Sequence, residues 1–270
     1  MKADSPFYSN MKDSRQLGFA LCNGNLILKE GEASGSFIPL YDEVKDLRVP
    51  GSHVFSFAMH GGGTAYGLEV ADDATLPEGM KAYPLRQTFF ILSNEEYLMA
   101  GKMRELIFWN KETVYCGRCG AEMSFDTEIS KKCDKCGHVV WPALQIAIIV
   151  LIKRGDEVLI VQSRSIRKDY LGLVAGFVET GETLEQAVVR EVKEETGLRI
   201  KNLRYFASQS WPYPCNLMAG FVADYESGSL HIQESELRKG GWYTRDNLPP
   251  VPDEASIARR LIDNWVAGKI

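Results

Sequence analysis

The residues best suited to chemistry are three glutamates, Glu191, Glu194 and Glu195, in the segment TLEQAVVREVKEET (183–196). In a helix, a rotation of about 100° per residue puts all three carboxylates on one edge. Like charges at this spacing each cost roughly 0.2 to 0.5 kcal/mol, and a bound dication removes that cost. Magnesium or manganese fits best, because both prefer hard oxygen ligands and retain waters and substrate phosphates in their shells.

The ends of this helix are well marked in the sequence. Thr183 and Gln186 fit a capping box, and Gly197 fits the position just after a helix C-terminus. The preceding segment, Gly172–Glu182, is rich in glycine, so its backbone can approach a metal ion or a phosphate closely. The alternative is a solvated acidic face, the usual meaning of a glutamate run. The glycine-rich segment favours the metal site.

Four cysteines form a second candidate metal site. Cys116 and Cys119 make one C-x-x-C pair, Cys133 and Cys136 make another, and a glycine directly follows each pair. Two such knuckles can close four thiolates around zinc and leave no position for water or substrate, so we predict one structural Zn²⁺ per chain. The alternative is a redox dithiol, which usually has a single C-x-x-C pair.

Basic residues around these cysteines leave a role in nucleic-acid recognition open, because zinc ribbons also bind nucleic acids and phosphates attract positive charge. They are Arg118, Lys131, Lys132 and Lys135. The remaining cysteines, Cys22 and Cys215, have no partner at close spacing, and each is more typical of an ordinary small residue than of a nucleophile.

The N-terminal part of the chain, residues 1–112, is predicted to be a mostly β domain. Short apolar runs such as Val54–Met59 and Thr88–Leu92 alternate with turns such as Gly61–Gly63, which is typical of antiparallel strands. Asn94–Asn110 has the spacing of a helix with one buried face. Its apolar residues are Leu98, Ala100, Met103, Leu106 and Ile107.

Two further domains are predicted after this one: a small zinc ribbon at 113–141 and a catalytic domain at 142–270. In the latter, strands at Ile146–Ile152 and Val158–Gln162 flank a turn and precede the glutamate helix. This alternation predicts an α/β (α+β) unit whose sheet lies between helices.

Composition narrows the class of protein. The chain has 270 residues, a net charge of -5, 45% hydrophobic and 25% charged residues, which is typical of a globular protein and argues against bulk binding of duplex nucleic acid. No apolar run approaches the roughly 20 residues of a membrane span, and the first residues lack the apolar core of an export signal. We therefore expect a cytoplasmic protein without a membrane partner, with cysteines that bind metal.

The glycine-rich segment and the helix together read GFVETGETLEQAVVREVKEETGL (176–198), which matches every fixed position of the Nudix box, G-x5-E-x7-R-E-U-x-E-E-x-G-U. The chain therefore resembles Nudix hydrolases, which implies an α-β-α sandwich that cleaves a nucleoside diphosphate linked to another moiety. The resemblance also implies that the Ala175 carbonyl assists the three glutamates in holding Mg²⁺ or Mn²⁺, and that Arg190 and Glu182 pair to orient the helix and loop.

Downstream, SQSWPYPCN (208–216) is similar to SQPWPFPxS, the signature of the NADH pyrophosphatase branch of the family, and departs from it at Ser210, Tyr213 and Asn216. Alone, the stretch could be a turn-rich loop with a packing tryptophan. The order of N-terminal domain, four-cysteine ribbon, box and signature is also that of this branch. The substrate-binding residues implied are Gln209, Ser210, Trp211, Pro212, Tyr213, Pro214, Cys215 and Asn216.

The resemblance implies further contacts with substrate and metal. Phe177 and Trp141 could sandwich the nicotinamide ring, across a homodimer in this branch, although core packing is the alternative for each. Glu236 matches a glutamate that adds to the metal site or activates water, with surface solvation as the alternative. Substrate contacts are also implied for Ala258, Arg86 and Glu128, although a solvated surface residue is the favoured interpretation of the last two.

The function implied is metal-dependent hydrolysis of the diphosphate bond of NADH or NAD⁺, which gives nicotinamide mononucleotide and AMP. Glu191, Glu194, Glu195 and Glu236 are the predicted catalytic residues, with Glu195 or Glu236 as the base. Removal of an NAD cap from RNA by the same chemistry, and hydrolysis of ADP-ribose or a related compound, remain open alternatives. A non-catalytic nucleotide sensor is a remote one, because no glutamate of the box is missing.

Overall fold

A computed structural model describes residues 15–31, 36–164 and 169–270. Residues 1–14, on which the expectation of no export signal rests, lie outside these ranges. The chain divides into two compact units: the first comprises residues 1–143 with Pro212–Pro214, and the second comprises 144–211 with 215–270. Within the described ranges, no helix is long and apolar enough to cross a membrane. The division into three domains stays a prediction.

The first unit contains a five-stranded sheet with the order β3-β4-β1-β2-β5. Its β1–β4 pair is parallel, whereas the other neighbours are antiparallel. The β3–β4 hairpin turns at Gly62 and Gly63, both at positive φ, so the predicted glycine turn is confirmed. The strands are β1 (Gln16–Cys22), β2 (Asn25–Lys29), β3 (Phe55–Ala58), β4 (Thr64–Val70) and β5 (Met80–Pro84).

The helices of this unit are α1 (Tyr41–Val44), α2 (Leu85–Thr88) and α3 (Asn94–Glu112), and a 3₁₀ turn covers Lys45–Leu47. Helix α3 begins after the N-cap Ser93, whose side chain accepts a hydrogen bond from the Glu96 backbone, and it packs Met103 and Leu106 into the sheet's core. The predicted helix is confirmed. The prediction of its buried face was wrong at Leu98, which is 48% exposed.

The prediction of a strand at Thr88–Leu92 was wrong. Thr88 ends α2, and backbone bonds from Ile91 and Leu92 to its carbonyl oxygen continue the turn. The Thr88 hydroxyl donates to the Leu85 carbonyl at 2.7 Å, a local bond that stabilises helical backbone. A short apolar run of this kind has no periodicity that separates a helical turn from a strand.

The cysteine region also belongs to the first unit. Strands β6 (Met123–Thr127), β7 (Ser130–Cys133) and β8 (Val139–Val140) form a small antiparallel sheet. Phe125 and Val140 pack against the same apolar core as α3. The cysteine knuckles are therefore attached to a sheet that shares its core with the N-terminal strands.

The second unit has a six-stranded sheet with the order β12-β13-β9-β10-β14, and β11 pairs with β9. A 3₁₀ turn covers Arg245–Asn247. The strands are β9 (Gln145–Arg154), β10 (Glu157–Ser163), β11 (Val174–Phe177), β12 (Arg199–Trp211), β13 (Asn216–Ser227) and β14 (Leu237–Thr244); the helices are α4 (Leu184–Thr196) and α5 (Ile257–Val266). Both strands predicted after the ribbon are confirmed.

The two faces of this sheet bury two separate apolar clusters. On β9, Ile148 and Val150 belong to the cluster that includes α4, whereas Ile149 and Leu151 belong to the cluster that includes α5. Successive side chains of a strand point to opposite faces, so a continuous apolar strand needs a helix on each side. The predicted α-β-α sandwich is confirmed.

Candidate functional site

Helix α4 has the ends that its sequence predicted. The Thr183 hydroxyl accepts from the Gln186 backbone, the Gln186 side chain accepts from the Thr183 backbone, and Gly197 ends the helix at φ 72°. Val188 and Val192 are buried on the helix face toward the sheet. The polar edge beside them carries the glutamates.

The fold brings together three carboxylates from two parts of the chain. Glu191 and Glu195 on α4 and Glu236, just before β14, each offer an oxygen atom, and these atoms lie within 4.8 Å of one another. Glu191 and Glu195 are buried, whereas Glu236 is exposed. Glu194 lies outside this group, because its side chain is about half exposed and its carboxylate pairs with Arg190 at 3.1 Å. The metal role of Glu194 stays a prediction.

The electrostatics of the group favour a bound cation. Burial, together with the nearby carboxylates of Glu191 and Glu236, raises the pKa of Glu195 to about 8. Burial also raises the pKa of Glu191. Glu195 Oε2 is buried without a hydrogen-bond partner among the described residues. Since a buried carboxylate oxygen needs a partner, a divalent ion fits this donor set.

Arg190 holds the glutamate helix against the loop that precedes it. Its guanidinium donates to both Glu182 oxygens, at 2.7 and 2.9 Å, and to the Phe177 carbonyl at 2.9 Å. It also donates to Glu191 Oε1 at 2.9 Å. The paired guanidinium lowers the pKa of Glu182 to about 2. The predicted Arg190–Glu182 pair is confirmed, and it orients Glu191.

A glycine in β11 leaves the space that the Glu191 carboxylate occupies. A Cβ atom added to Gly176 would overlap that carboxylate. Gly172, in the same glycine-rich segment, has no such restriction, because its nearest neighbour would be Pro252 Cγ at 3.9 Å. Gly176 therefore lets the Glu191 carboxylate lie against the backbone of β11, and the approach of this segment to a metal ion or phosphate stays a prediction.

A pocket of about 430 Å³ opens beside the three carboxylates. Five predicted residues line it: Ala175, Phe177, Glu191, Glu195 and Glu236. Two of the other lining residues, Gly176 and Glu179, belong to the glycine-rich segment that the sequence singled out. The sequence reasoning missed Ser163, Arg164 and Ser235, for which the sequence had no chemical signal.

The four cysteines converge as the two knuckles predicted. Their Sγ atoms lie within 4.8 Å of one another, with Cys116 and Cys136 at 3.6 Å and Cys119 and Cys133 at 3.5 Å. These distances exclude disulfides, whose sulfur atoms are about 2 Å apart, and resemble the roughly 3.8 Å spacing expected around tetrahedral zinc.

Glycine and backbone bonds shape both knuckles. Gly120 donates to the Cys116 carbonyl at 2.8 Å, Gly137 donates to the Cys133 carbonyl at 2.9 Å, and both glycines have φ of 71°. A backbone hydrogen bond from Cys136 contributes most to lowering the pKa of Cys133 to about 7, whereas burial and the neighbouring thiols raise the pKa of Cys136. The convergence of four sulfur atoms fits a metal that prefers thiolates.

Comparison with known proteins identifies the family. The model of the NUDIX domain matches residues 143–265. "NAD-capped RNA hydrolase NudC" of Pseudomonas aeruginosa (strain LESB58) is 42% identical over 207 residues, which cover 76% of this chain and 74% of that protein. The chain belongs to the Nudix hydrolase family.

Two further similarities cover a smaller share of this chain. "NAD-capped RNA hydrolase NudC" of Escherichia coli (strain K12 / DH10B) is 44% identical over 172 residues, which cover 63% of this chain and 67% of that protein. The crystal structure of a NUDIX hydrolase from Nitrosomonas europaea has a TM-score of 0.48 and 22% identity, and covers 56% of this chain and 89% of that one.

The two aromatic residues predicted to bind a ring are both exposed. Phe177 is 54% exposed at the end of β11, in the pocket of the Nudix unit, and Trp141 is 61% exposed after β8 in the first unit. Because both side chains are exposed, neither is a core-packing residue, which was the alternative interpretation of each. Their roles in substrate binding stay predictions.

The predicted substrate-binding stretch spans the β12–β13 hairpin of this Nudix hydrolase. Trp211 pairs with Asn216 and Ser210 with Leu217, while 212–215 form the turn, with a cis Tyr213–Pro214 peptide bond. Both polar atoms of the Gln209 side chain bind backbone near α5: Nε2 donates to Ala255 O at 2.9 Å, and Oε1 accepts from Ile257 N at 2.6 Å. Ala258, the second residue of α5, is buried in the core against which this helix packs.

Arg86 and Glu128 both lie in the first unit. Arg86 is half-buried on α2, and Glu128, in the β6–β7 turn, is exposed with its Oε2 atom 3.5 Å from His53 Nε2. Burial, then the hydrogen bond with Tyr97, raises the pKa of Tyr213, and the charge of Arg86 opposes that increase.

One of the basic residues considered for nucleic-acid recognition is not at the surface. Lys131 is buried, and its ammonium donates to the carbonyls of Asn110 and Thr113 at 3.0 and 2.7 Å, near the C-terminus of α3. Arg118, Lys132 and Lys135 are exposed. Lys131 is therefore a packing residue of the first unit, which its position in sequence did not reveal.

Proposed function

We propose that this Nudix hydrolase cleaves the diphosphate bond of NADH or NAD⁺ and releases nicotinamide mononucleotide and AMP. The observation that carries the proposal is the group of Glu191, Glu195 and Glu236 carboxylates beside a pocket of about 430 Å³. A diphosphate is an anion, and it can approach three carboxylates only when a divalent cation is bound between them.

The proposed roles of the residues follow from burial and charge. Glu191 and Glu195, assisted by the Ala175 carbonyl, would hold Mg²⁺ or Mn²⁺, and Glu194 would contribute from the outer edge of α4. Such ions neutralise charge at phosphorus and acidify water. Glu236, exposed at the pocket, is suited to accept the proton of the attacking water, and Glu195 is the other candidate base.

Recognition of the dinucleotide is assigned to aromatic and hairpin residues. Phe177 would stack on the nicotinamide ring from within the pocket, since an exposed ring is available for stacking. Trp141 would stack on the ring of the neighbouring subunit's substrate in a homodimer. Residues 209–216, Ala258, Arg86 and Glu128 remain the proposed substrate contacts.

Removal of an NAD cap from RNA is the second candidate function. Two relatives that are 42% and 44% identical carry the name NAD-capped RNA hydrolase, which supports this candidate. The chemistry would be the same, with RNA attached on the adenosine side. Arg118, Lys132 and Lys135 are the exposed ribbon cations available to attract RNA.

The four cysteines are proposed to hold one structural Zn²⁺, with a ribbon at 113–141 between an N-terminal domain and the hydrolase domain. All six cysteines are free, which suits a reducing compartment, so we retain the cytoplasm as the proposed location. Metal analysis of protein purified without chelator tests the site. About one zinc per chain supports it, and a content far below one contradicts it.

The first experiment compares products from NADH, NAD-capped RNA and ADP-ribose, each with Mg²⁺ or Mn²⁺. Release of reduced nicotinamide mononucleotide and AMP from NADH supports the first proposal. Faster cleavage of the capped RNA than of NADH would establish the second candidate function. Failure to cleave both NADH and the capped RNA would refute both candidate functions.

A pair of variants on α4 tests the catalytic assignment. Glu195→Gln keeps the shape of the side chain and removes its charge, so turnover should fall by about 100-fold or more. Glu185→Gln is the matched control, because Glu185 is exposed in the first turn of the same helix. Equal activity of the two folded variants would contradict the role of Glu195.

A further inference from the structure

The turn of the β12–β13 hairpin packs in a different unit from the strands that it connects. Pro212–Pro214 belong to the first unit, whereas Trp211 and Cys215 on either side belong to the second. Pro212 is buried, and Tyr213 packs against the apolar core that contains α3. The turn is therefore held by residues far away in sequence.

One face of α3 makes these contacts. Tyr97, Gly101 and Arg104 follow one another at i, i+4 and i+7, the spacing that places side chains in a row on a helix. Tyr97 OH lies 3.3 Å from Tyr213 OH. All three residues of this row face Pro212 or Tyr213.

Gly101 provides the space for this packing. A Cβ atom at this position would lie 3.1 Å from Pro212 Cγ, which is tighter than most real contacts of a Cβ. A glycine inside a helix costs about 1 kcal/mol relative to alanine. The close approach of Pro212 gives a physical reason for this residue in the middle of α3.

Arg104 fixes the backbone of the turn. Its guanidinium donates to the Pro212 carbonyl through Nη1 and to the Gly24 carbonyl through Nε, at 3.3 Å in the second case. The guanidinium carbon also lies 5.2 Å from the centre of the Tyr213 ring. A half-buried arginine with two carbonyl partners restricts the turn more than apolar contact alone.

We propose that Tyr97, Gly101 and Arg104 are positioning residues that fix the hairpin turn, and through it the affinity for the dinucleotide. The inference rests on the proposed function, in which residues 209–216 contact the substrate. Helix α3 would then position the hairpin turn without taking part in the chemical step. A misplaced binding segment weakens substrate binding and leaves the group of Glu191, Glu195 and Glu236 carboxylates intact.

Steady-state kinetics of the full chain with NADH tests this role. Gly101→Leu and Arg104→Met should raise KM roughly tenfold or more, with kcat within about threefold of wild type, because a displaced turn weakens the binding of substrate. Arg104→Lys keeps a donor and should restore part of the affinity. Tyr97→Phe, which removes a single hydroxyl, is the mildest variant and should raise KM least.

Lys111→Met is the matched control on α3. Lys111 is seven residues after Arg104, roughly 10 Å further along the helix axis, and it pairs with Glu69 at the surface, at 2.6 Å. This variant should keep the wild-type KM. A purely structural role of the row would lower the melting temperature of Gly101→Leu and Arg104→Met with no change in KM.

The outcomes separate the inference from the proposed function. If wild type cleaves NADH and folded Arg104→Met has the wild-type KM, the positioning role is refuted while the proposed function stands. If kcat falls with KM unchanged, the row acts on the chemistry and the inference is also refuted. If wild type cleaves neither NADH nor NAD-capped RNA, the proposed function fails, and the inference fails with it.

Discussion

Substitution of Gly176 by alanine is the sharpest test of how the carboxylate group is built. An added Cβ would come within 3 Å of the Glu191 carboxylate, whereas ordinary van der Waals contact begins at 3.4 Å. The carboxylate must then withdraw by more than about 1 Å. Because Arg190 donates to Glu191 Oε1 at 2.9 Å and also binds Glu182, such a movement would disturb the whole group.

The magnitude follows from the sensitivity of catalysis to geometry. A displacement of about 1 Å can cost about 100-fold in rate, equivalent to about 2.7 kcal/mol at about 1.36 kcal/mol for each factor of ten. We expect Gly176→Ala to lower kcat/KM for NADH by that amount and to weaken Mn²⁺ binding in a titration of the same protein. Its melting temperature should change little, because Gly176 is not at positive φ.

Gly172→Ala is the control in the same segment. Its added methyl would lie 3.9 Å from Pro252 Cγ, which is ordinary contact, so kcat/KM should stay within about twofold of wild type. If Gly176→Ala is folded and as active as Gly172→Ala, Glu191 does not need its present position. The reasoning about the glycine-rich segment would then be refuted.

Three further predictions follow from the packing and charges. Lys131→Met should lower the free energy of unfolding by on the order of 2 kcal/mol, because the Asn110 and Thr113 carbonyls lose a charged donor. Lys132 is exposed, so Lys132→Met should leave the stability unchanged, and thermal melts compare the two variants. Glu182 has a folded-state pKa of about 2 against an ordinary 4.5, so its contribution is present above pH 4.5 and is lost as pH falls toward 2. The urea midpoint of Glu182→Gln should thus fall below that of wild type at pH 6 and converge with it in acid, and a constant difference would contradict the Arg190 pairing. Cys119→Ser should bind less zinc and melt earlier than Cys22→Ser, since Cys22 lies outside the four-cysteine cluster.

The sequence predicted elements best where the interactions are local. The capping box of Thr183 and Gln186, the end of α4 at Gly197 and the glycine-shaped cysteine knuckles all involve residues a few positions apart. Such contacts follow from spacing, because the backbone geometry of a turn is set by its own residues. The prediction of a strand at Thr88–Leu92 was wrong because such a signal is missing there: a short apolar run does not distinguish a strand from a helical turn.

Tertiary contacts decided which predicted residues meet. Glu236 joins Glu191 and Glu195, whereas Glu194, next to Glu195 in the chain, turns toward Arg190. Spacing on a helix gives the edge on which a side chain lies but not the partners it meets. Resemblance to a family pointed to Glu236, and only the fold shows its carboxylate beside the other two.

The sequence by itself determined the family, the glutamate helix and the cysteine knuckles, because each is encoded by fixed residue types at short spacing. The tertiary structure alone decided that Lys131 is buried beside α3 and that Pro212 and Tyr213 pack on Tyr97, Gly101 and Arg104. These contacts join segments far apart in the chain. They exist because apolar and hydrogen-bonding groups must be paired when the core closes, a condition that no local pattern encodes.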